Sequence, residues 1–224
     1  MQRLRLTFSR GNELKYISHL DLMRLWQRAL RRASIPLVYS QGFSPHPRLS
    51  LAIPLAIGMT SSGELMDIFL EHRVSPHFFM NAVSKQLPGG VAISEVVEVG
   101  LDLPSLQSQI LCAEYTISLS SEKSLEEIEA SIKTILAKDG LPWQHTRDKE
   151  IRKYDLRSLI DDIWLIDWHP HECTLGMRLY CDSRGTGRPE QVTLAMGFAD
   201  APTSIHRTKL ILDEQRIYSS DRGG

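Results

Sequence analysis

The sequence predicts an α+β protein built from two tandem ferredoxin-like halves, each with the element order βαββαβ. Three observations predict this fold class. Apolar residues alternate in short segments that are typical of strands, and they recur at helical spacing in segments typical of amphipathic helices. The order of these elements restarts after a polar, proline-containing segment at residues 100–110, which we expect to be a linker. No residue-level repeat joins the halves, so the duplication is inferred from element order alone.

The first half covers residues 1–100. Alternating apolar residues from Leu4 to Phe8 predict its first strand. Ser18, followed three residues later by an acid, predicts the start of the first helix, and Ser75 before a proline predicts the start of the second. In chain order we expect a strand at 3–9, a helix at 18–33, strands at 49–57 and 64–71, a helix at 75–87 and a strand at 91–99.

The second half covers residues 111–215. Ser124 precedes an acidic first turn and predicts a helix start, and Pro189 predicts the first turn of a later helix. We expect strands at 112–119, 143–147, 151–154, 162–168, 172–181 and 206–213, helices at 124–138 and 188–198, and a short inserted helix at 155–160. Residues 216–224 are expected to form a disordered tail.

Composition bounds the class of protein. Apolar residues make up 42% and charged residues 24% of the 224 residues, as in soluble globular proteins. No apolar run approaches the roughly 18 residues of a membrane span, and the first residues do not resemble a signal peptide, so we expect a cytoplasmic protein. The three cysteines form no CxxC pair, which argues against a disulfide framework. The sequence contains no cysteine cluster that could bind an iron–sulfur cluster, and it contains no Walker, GxSxG or HExxH motif. We therefore predict no cofactor.

Positive charge is concentrated at the N-terminal end of the chain. The first 50 residues carry nine Lys or Arg against two acids, whereas the remaining 174 carry 17 against 25. Guanidinium groups on one helix match phosphate groups in shape and charge, so we predict contacts with RNA or another anion. The residues are Arg24, Arg28 and Arg31, beside Arg32, with Arg3, Arg5 and Arg48 expected nearby. The alternative, left open, is a solvated helix face that pairs with acids of the second half.

The segment after this helix is the least ordinary in the chain. In Gln41–Arg48 two prolines stiffen the backbone, and Gly42 permits a conformation that other residues resist. Phe43 and His46 are then held as stacking groups beside Arg48, a combination that single-stranded RNA binders use. For the whole loop we favour a binding site, but for Phe43 alone we favour burial.

His19 is the one candidate catalytic residue, as a general acid or base near a phosphodiester. The alternative is a packed, hydrogen-bonded histidine, which we favour because a single histidine is no catalytic constellation. His169, His171 and Cys173 alternate on an expected strand, with Cys181 beyond, but they match no compact zinc motif, so we predict no metal.

A glycine-rich turn lies before the last expected helix. Gly185–Glu190 lacks the ending of a P-loop and the spacing of a dinucleotide fingerprint, which disfavours nucleotide hydrolysis. We interpret the turn as structural, with an anion contact at Arg188.

Five short motifs are spread over nearly the whole chain. They are SHLDLMR at 18–24, YSQGFSPHPRLS at 39–50, KYDLR at 153–157, GRPE at 187–190 and HRTKL at 206–210. The set resembles the radical-SAM-linked family, a bacterial domain of unknown function that occurs beside, or fused to, a large radical-SAM protein with a cobalamin-binding-like part. This chain resembles the stand-alone form. The resemblance implies a radical-SAM enzyme as partner and a role around RNA or ribosome maturation, and it implies no catalytic residues.

The leading hypothesis is a non-catalytic RNA-binding accessory protein that works with a separate radical-SAM enzyme, with neither membrane nor DNA as a partner. One alternative is a metal-independent RNA endonuclease that uses His19, similar in fold to the repeat-processing proteins of CRISPR systems. That similarity is one of fold and does not fix function. The other alternative is a docking domain for the radical-SAM partner.

Overall fold

The computed structural model describes residues 1–147 and 150–213 of the chain. The chain divides into two units. The first comprises residues 1–110 and, among the described residues at the other end of the chain, 212–213. The second comprises Leu111–Ile211. The expected tail at 216–224 lies outside the described residues.

The elements of the first unit follow the order that the sequence predicts. They are β1 (Gln2–Arg10), α1 (His19–Arg32), β2 (Leu49–Leu51), β3 (Thr60–Leu70), α2 (Pro76–Ser84) and β4 (Val91–Val99). β4 has the predicted bounds, and α1 ends one residue earlier than predicted, before Ser34 with its positive φ of 53°. β2 is much shorter than the predicted strand at 49–57. Pro54, which has no N–H to donate, lies in the part that is not a strand.

The strands of the first unit lie in the order β4-β1-β3-β2, and each neighbouring pair is antiparallel. Leu4, Leu6 and Phe8 of β1 point to one face of this sheet, where α1 and α2 pack. In α1, Trp26 is fully buried, and its ring meets the ring of Phe8 edge-on, with 4.9 Å between centroids. This apolar layer fixes which side of α1 faces solvent.

The caps of both helices are those expected from the sequence. The Ser18 hydroxyl accepts a hydrogen bond from the Asp21 N–H, and the Ser75 hydroxyl accepts one from the Phe78 N–H. Such a cap satisfies a backbone donor that the helix itself leaves open, which contributes about 1 kcal/mol. Local sequence therefore sets the start of each helix.

The segment expected to be a linker instead packs on the first unit. Leu106 and Ile110 are fully buried, and the carbonyls of Leu103 and Pro104 accept hydrogen bonds from Arg3 at 2.7 and 2.9 Å. These residues cover the face of the sheet opposite the helices. The segment is therefore not a flexible linker, because its backbone carbonyls bind the buried Arg3.

The elements of the second unit again follow the predicted order. They are β5 (Ile110–Ser121), α3 (Leu125–Leu136), β6 (Pro142–Arg147), β7 (Glu150–Asp155), β8 (Ile160–His169), β9 (His171–Asp182), β10 (Gly185–Thr186), α4 (Pro189–Ala195) and β11 (Ser204–Leu212). The short inserted helix is a single 3-10 turn, Arg157–Leu159. Ser124 begins α3 with a full capping box, in which its hydroxyl and the Glu127 carboxylate exchange hydrogen bonds with backbone N–H groups.

The main sheet of the second unit has the strand order β8-β9-β5-β11, with β10 also on β9. β5 and β8 both pair with β9 in antiparallel register. β6 and β7 form a separate two-stranded antiparallel sheet, in which Trp143 lies opposite Tyr154. The fold is therefore mixed α+β with mostly antiparallel strand pairs and four α-helices in the described part of the chain. None of these helices combines the length and the apolar character that crossing a bilayer requires.

Candidate nucleic-acid interface

The solvent face of α1 carries the four arginines that the sequence places there. Arg24, Arg28, Arg31 and Arg32 are all exposed. Arg24, Arg28 and Arg32 line a cleft of about 350 Å³, together with Asp21, two apolar residues of the same region (Ile17 and Leu25) and Pro88 after α2. The structure therefore brings three of the four guanidinium groups to one concave surface.

Within the described residues, few contacts occupy these guanidinium groups. Arg24 pairs with the exposed Asp21 carboxylate at 3.2 Å, and Arg32 donates to the Gln86 carbonyl at 2.6 Å. The Ser18 hydroxyl, and after it Arg24 and Arg28, hold the pKa of Asp21 below its usual value. Arg28 and Arg31 make no hydrogen bond or ion pair in the part of the chain that the structure describes. The face thus keeps free donors and net positive charge.

The loop after α1 is closed by hydrogen bonds at its neck. The Arg48 N–H donates to the Val38 carbonyl, and the Ser40 N–H donates to the His46 carbonyl, both at 2.8 Å. The His46 N–H in turn donates to the Ser40 hydroxyl at 3.0 Å. Gly42 lies beyond the neck with φ of 129°, a conformation that glycine alone adopts without strain. The loop is a narrow hairpin with residues 41–45 at its tip.

Phe43 lies at this tip and is fully exposed. The expectation of burial for Phe43 alone is therefore wrong. The physical reason is the neck, which turns the chain back on itself before the tip can reach the apolar layer beneath α1. His46 is exposed as well. An exposed aromatic ring on a hydrogen-bonded loop is a surface on which a planar group can stack.

Arg48 lies away from the arginines of α1. Because Leu49 and Leu51 of β2 pack toward the apolar core, Arg48 and Ser50 lie on the opposite face of the sheet. The Arg48 guanidinium stacks on the Phe69 ring, 4.1 Å from its centroid, at the edge of a cleft of about 410 Å³. The residues predicted as one binding surface are thus divided between the two faces of one sheet.

Arg3 and Arg5 do not contribute to either exposed surface. Both are buried, and both donate to the fully buried carboxylate of Asp67, at distances between 2.6 and 3.1 Å. Arg5 also donates to the Gln109 side chain at 3.1 Å. The alternation of β1 correctly places them on one face, but residues 103–110 cover that face. These two arginines hold the fold together.

His19 is the first residue of α1 and is exposed. The expected packing of its ring is therefore not observed. No hydrogen bond to its ring is found among the described residues. A helix of 14 residues is about 20 Å long, so His19 and Arg32 lie at opposite ends of α1. The described residues give His19 no partner that would make it a general acid or base.

The expectation that His169, His171 and Cys173 share one strand face is wrong. The chain reverses at Pro170, between β8 and β9, and His171 has a positive φ of 70° in this turn. His171 is exposed and contacts the Glu122 carboxylate at 2.8 Å, whereas Cys173 is buried. Among the described residues, no group of three or more His, Cys, Asp or Glu side chains is arranged to hold a metal ion.

Arg188 is the N-cap residue of α4 and is exposed. The Gly187 N–H donates to the Tyr180 carbonyl at 2.8 Å, so this backbone donor is used inside the turn. α4 has only seven residues, which makes its start a weak anion site. Arg188 therefore contributes an exposed charge beside a hydrogen-bonded turn, and an anion contact there stays a prediction.

Sequence reasoning missed the two-stranded sheet of β6 and β7 as a surface. Trp143 and Tyr154 lie in a cleft of about 560 Å³ with Gln144 and Lys153. Two aromatic residues on adjacent short strands, next to a lysine, are the signal that the sequence offers for such a surface.

Three solved structures were found to be similar to this chain. The first is the crystal structure of a Cbf5–Nop10–Gar1 complex, with a TM-score of 0.52 and 8% identity over 92% of this chain and 48% of that chain. The second is an archaeal box H/ACA sRNP Nop10–Cbf5 complex, with a TM-score of 0.47 and 9% identity over 91% of this chain and 46% of that chain. The third is an H/ACA RNP bound to a substrate RNA containing 2′-deoxyuridine, with a TM-score of 0.47 and 9% identity over 92% of this chain and 47% of that chain.

This chain spans about half the length of each of those chains. Of the three, the first has a TM-score above 0.5, and at 8% identity it shows a likeness of fold alone. No curated protein matches the sequence. A family described as an uncharacterized protein conserved in bacteria, DUF2344, matches residues 3–189. This match covers most of the 224 residues, and the chain therefore belongs to the DUF2344 family.

Proposed function

We propose that the protein binds RNA without acting on it chemically, as an accessory to a separate radical-SAM enzyme in the cytoplasm. The observation that carries RNA binding is the exposed arginine face of α1. Three of its four arginines line a cleft of about 350 Å³, and among the described contacts the face meets a single carboxylate, that of Asp21. Free guanidinium groups on a concave surface suit phosphate groups, since each can donate two parallel hydrogen bonds.

The hairpin loop adds a second kind of contact. Phe43 is fully exposed, and the neck hydrogen bonds at Ser40 and His46 limit the motion of the loop that carries it. A base of single-stranded RNA stacked on an aromatic side chain contributes about 1–3 kcal/mol. The arginine face would then supply affinity for phosphates, and Phe43 would favour unpaired bases.

The proposed partner rests on the motifs at 18–24, 39–50 and 153–157, which resemble those of the radical-SAM-linked family. In this proposal the chain needs no cofactor of its own, because the partner performs the chemistry on the RNA that this protein presents.

We also propose that both units are ferredoxin-like. The strand order β4-β1-β3-β2 in the first unit supports this, and so does the matching order in the second, β8-β9-β5-β11, written from the opposite edge. In chain order, one helix follows the first strand of each unit and one helix precedes its last strand. The β6–β7 hairpin is then an insertion between the first helix and the second strand of the second half. A fold can carry many functions, so the support for RNA binding comes from the residues of the first unit.

The test is a salt series of filter-binding measurements on a single-stranded RNA. Arg28 and Arg31 are replaced by Ala, and the matched control replaces Lys133 and Lys138, two exposed cations of the second unit. The slope of log K against log salt is negative, and each phosphate contact removed reduces its magnitude by about 0.7. We expect this magnitude to fall by about 1.4 in the arginine variant and to stay unchanged in the lysine variant.

Phe43 is tested in the same assay. Phe43→Ala should weaken binding about 5- to 150-fold with no change in the salt slope, because stacking involves no counterion. Phe78→Ala removes another exposed phenylalanine, on α2, and should leave binding unchanged. Absence of RNA binding at low salt, or equal effects of the arginine and lysine pairs, would refute the proposal.

A docking domain is the second candidate, and the exposed Phe43 favours it, since such a ring also fits a pocket on a protein. If docking is the role, Phe43→Ala reduces capture of the radical-SAM enzyme and leaves RNA affinity unchanged. The endonuclease alternative has no such support, because His19 lies apart from any described acid–base partner.

A further inference from the structure

We infer that the hairpin of β6 and β7 forms a second contact for single-stranded RNA, in which one unpaired base stacks on Trp143 while Arg188 faces the backbone phosphates. This inference rests on the proposed function in sharing its ligand, but it concerns residues of the second unit only.

The hairpin stands apart from the main sheet of its unit. β6 and β7 pair only with each other in the described chain, and so they complete no part of that sheet. Trp143 lies directly opposite Tyr154, and Gln144 lies opposite Lys153. These four residues and Pro142 line the cleft of about 560 Å³, and strand alternation puts the Trp143–Tyr154 pair on one face of the hairpin and the Gln144–Lys153 pair on the other. This volume lies within the range of clefts that hold small organic groups, about 300–1,000 Å³.

Tyr154, one of the residues that line the cleft, is held in place by a hydrogen bond to α4. The Tyr154 hydroxyl donates to the Gln191 side-chain oxygen. Gln191 lies in the first turn of α4, three residues after the N-cap Arg188, and the positive charge of Arg188 opposes the rise in the pKa of Tyr154 that burial causes. A fixed aromatic ring near an exposed cation, Arg188, is the combination that single-stranded nucleic-acid sites use.

Trp143 differs from the tryptophans that have a structural role. Trp26 is fully buried, and Trp168 donates its indole N–H to the Lys123 carbonyl at 3.1 Å. Trp143 is only half-buried and makes no side-chain hydrogen bond to any described residue. A cross-strand aromatic pair alone would stabilise the hairpin by about 0.2–1 kcal/mol, but it would not need an open cleft with a cation nearby.

Stacking on Trp143 requires a base that is free of its own neighbours. Bases inside a duplex are already stacked, so a double-stranded RNA offers no face to the ring. The ligand class is therefore single-stranded RNA, and the cleft reads the face of a base instead of its hydrogen-bonding edge.

The experiment is a fluorescence titration of the full chain with an oligouridine of about eight nucleotides. Stacking of uracil on Trp143 should quench its emission. Trp143→Phe should keep the affinity within about threefold but lose the quenching, since the ring is retained and the fluorophore is not. Trp143→Leu should weaken binding about 5- to 150-fold. Trp168→Phe is the matched control, and it should keep both affinity and quenching.

The outcomes separate this inference from the proposed function. If Arg28→Ala/Arg31→Ala lowers the affinity while Trp143→Leu does not, the inference is overturned and the proposed function stands. If Trp143→Leu alone lowers the affinity, the hairpin is the RNA site and the proposed role of α1 fails. Quenching that persists in Trp143→Phe, or equal quenching by a double-stranded RNA of the same length, also overturns the inference. Circular dichroism of each variant shows that its fold is intact.

Discussion

Replacing Asp67 by Asn should destabilise the first unit more than any exposed substitution. The carboxylate is fully buried and accepts four N–H groups, two from Arg3 at 2.9 and 2.6 Å and two from Arg5 at 2.8 and 3.1 Å. Among the described contacts it is the only carboxylate that meets either arginine. Asn would leave two buried guanidinium groups without a counter-charge.

The size of the effect follows from the cost of breaking a buried ion pair on one side. Removing one partner costs about 3–5 kcal/mol, because the other charge stays in a region of low polarity. With two arginines left behind, we expect the upper part of this range. For a urea dependence of about 2 kcal/mol per molar, a cost of about 4 kcal/mol moves the unfolding midpoint down by about 2 M.

The assay is urea unfolding followed by circular dichroism. Asp102→Asn, at an exposed carboxylate, is the matched control and should stay within about 0.5 kcal/mol of the wild type. Arg5→Met is the informative comparison, since it leaves Arg3 and Asp67 as a balanced pair and should cost less than Asp67→Asn. A shift of less than about 1 kcal/mol for Asp67→Asn, or a larger one for Arg5→Met, would refute this account of the charge cluster.

Two further predictions concern the second unit. A β-carbon on Gly176 would lie 2.0 Å from the Trp164 ring, whereas one on Gly89 would meet no atom within 4 Å. Gly176→Ala should therefore lower the free energy of unfolding, measured with urea, by about 1–3 kcal/mol or more. Gly89→Ala is the matched control and should leave it nearly unchanged. Burial raises the pKa of Cys112 to about 11 and of Cys181 to about 12, so both stay protonated in the folded protein while the unfolded chain ionises above about pH 8.5. The free energy of unfolding should therefore fall as the pH rises from about 8.5 to about 11. The urea midpoints at about pH 8 and pH 10 should differ less in Cys112→Ala/Cys181→Ala than in the wild type. An equal difference in the two proteins would contradict this prediction.

Element order and helix starts could be predicted from sequence because their determinants are local. Ser18, Ser75 and Ser124 each place a hydroxyl where it accepts a backbone N–H three residues later, and all three start helices in the structure. Alternation and helical spacing likewise depend only on neighbouring residues. The same information leaves the length of β2 open, because that length depends on the strand it pairs with.

The candidate site could be predicted only in part, because its residues are sorted by contacts between distant parts of the chain. The exposure of Arg28 follows from the apolar side of α1, which is visible in the sequence. The burial of Arg3 does not, since it depends on carbonyls about 100 residues later in the chain. Arg48 was expected near the arginines of α1, but strand alternation in β2 places it on the other face of the sheet.

The packing of residues 103–110 on β1 has a consequence for synthesis of the chain. Two of the acceptors of Arg3, the carbonyls of Leu103 and Pro104, are synthesised about 100 residues after it. At roughly 5–20 residues per second this delay lasts about 5–20 s. Until then Arg3 lacks these two acceptors, and the first unit cannot be complete before synthesis has reached the start of the second.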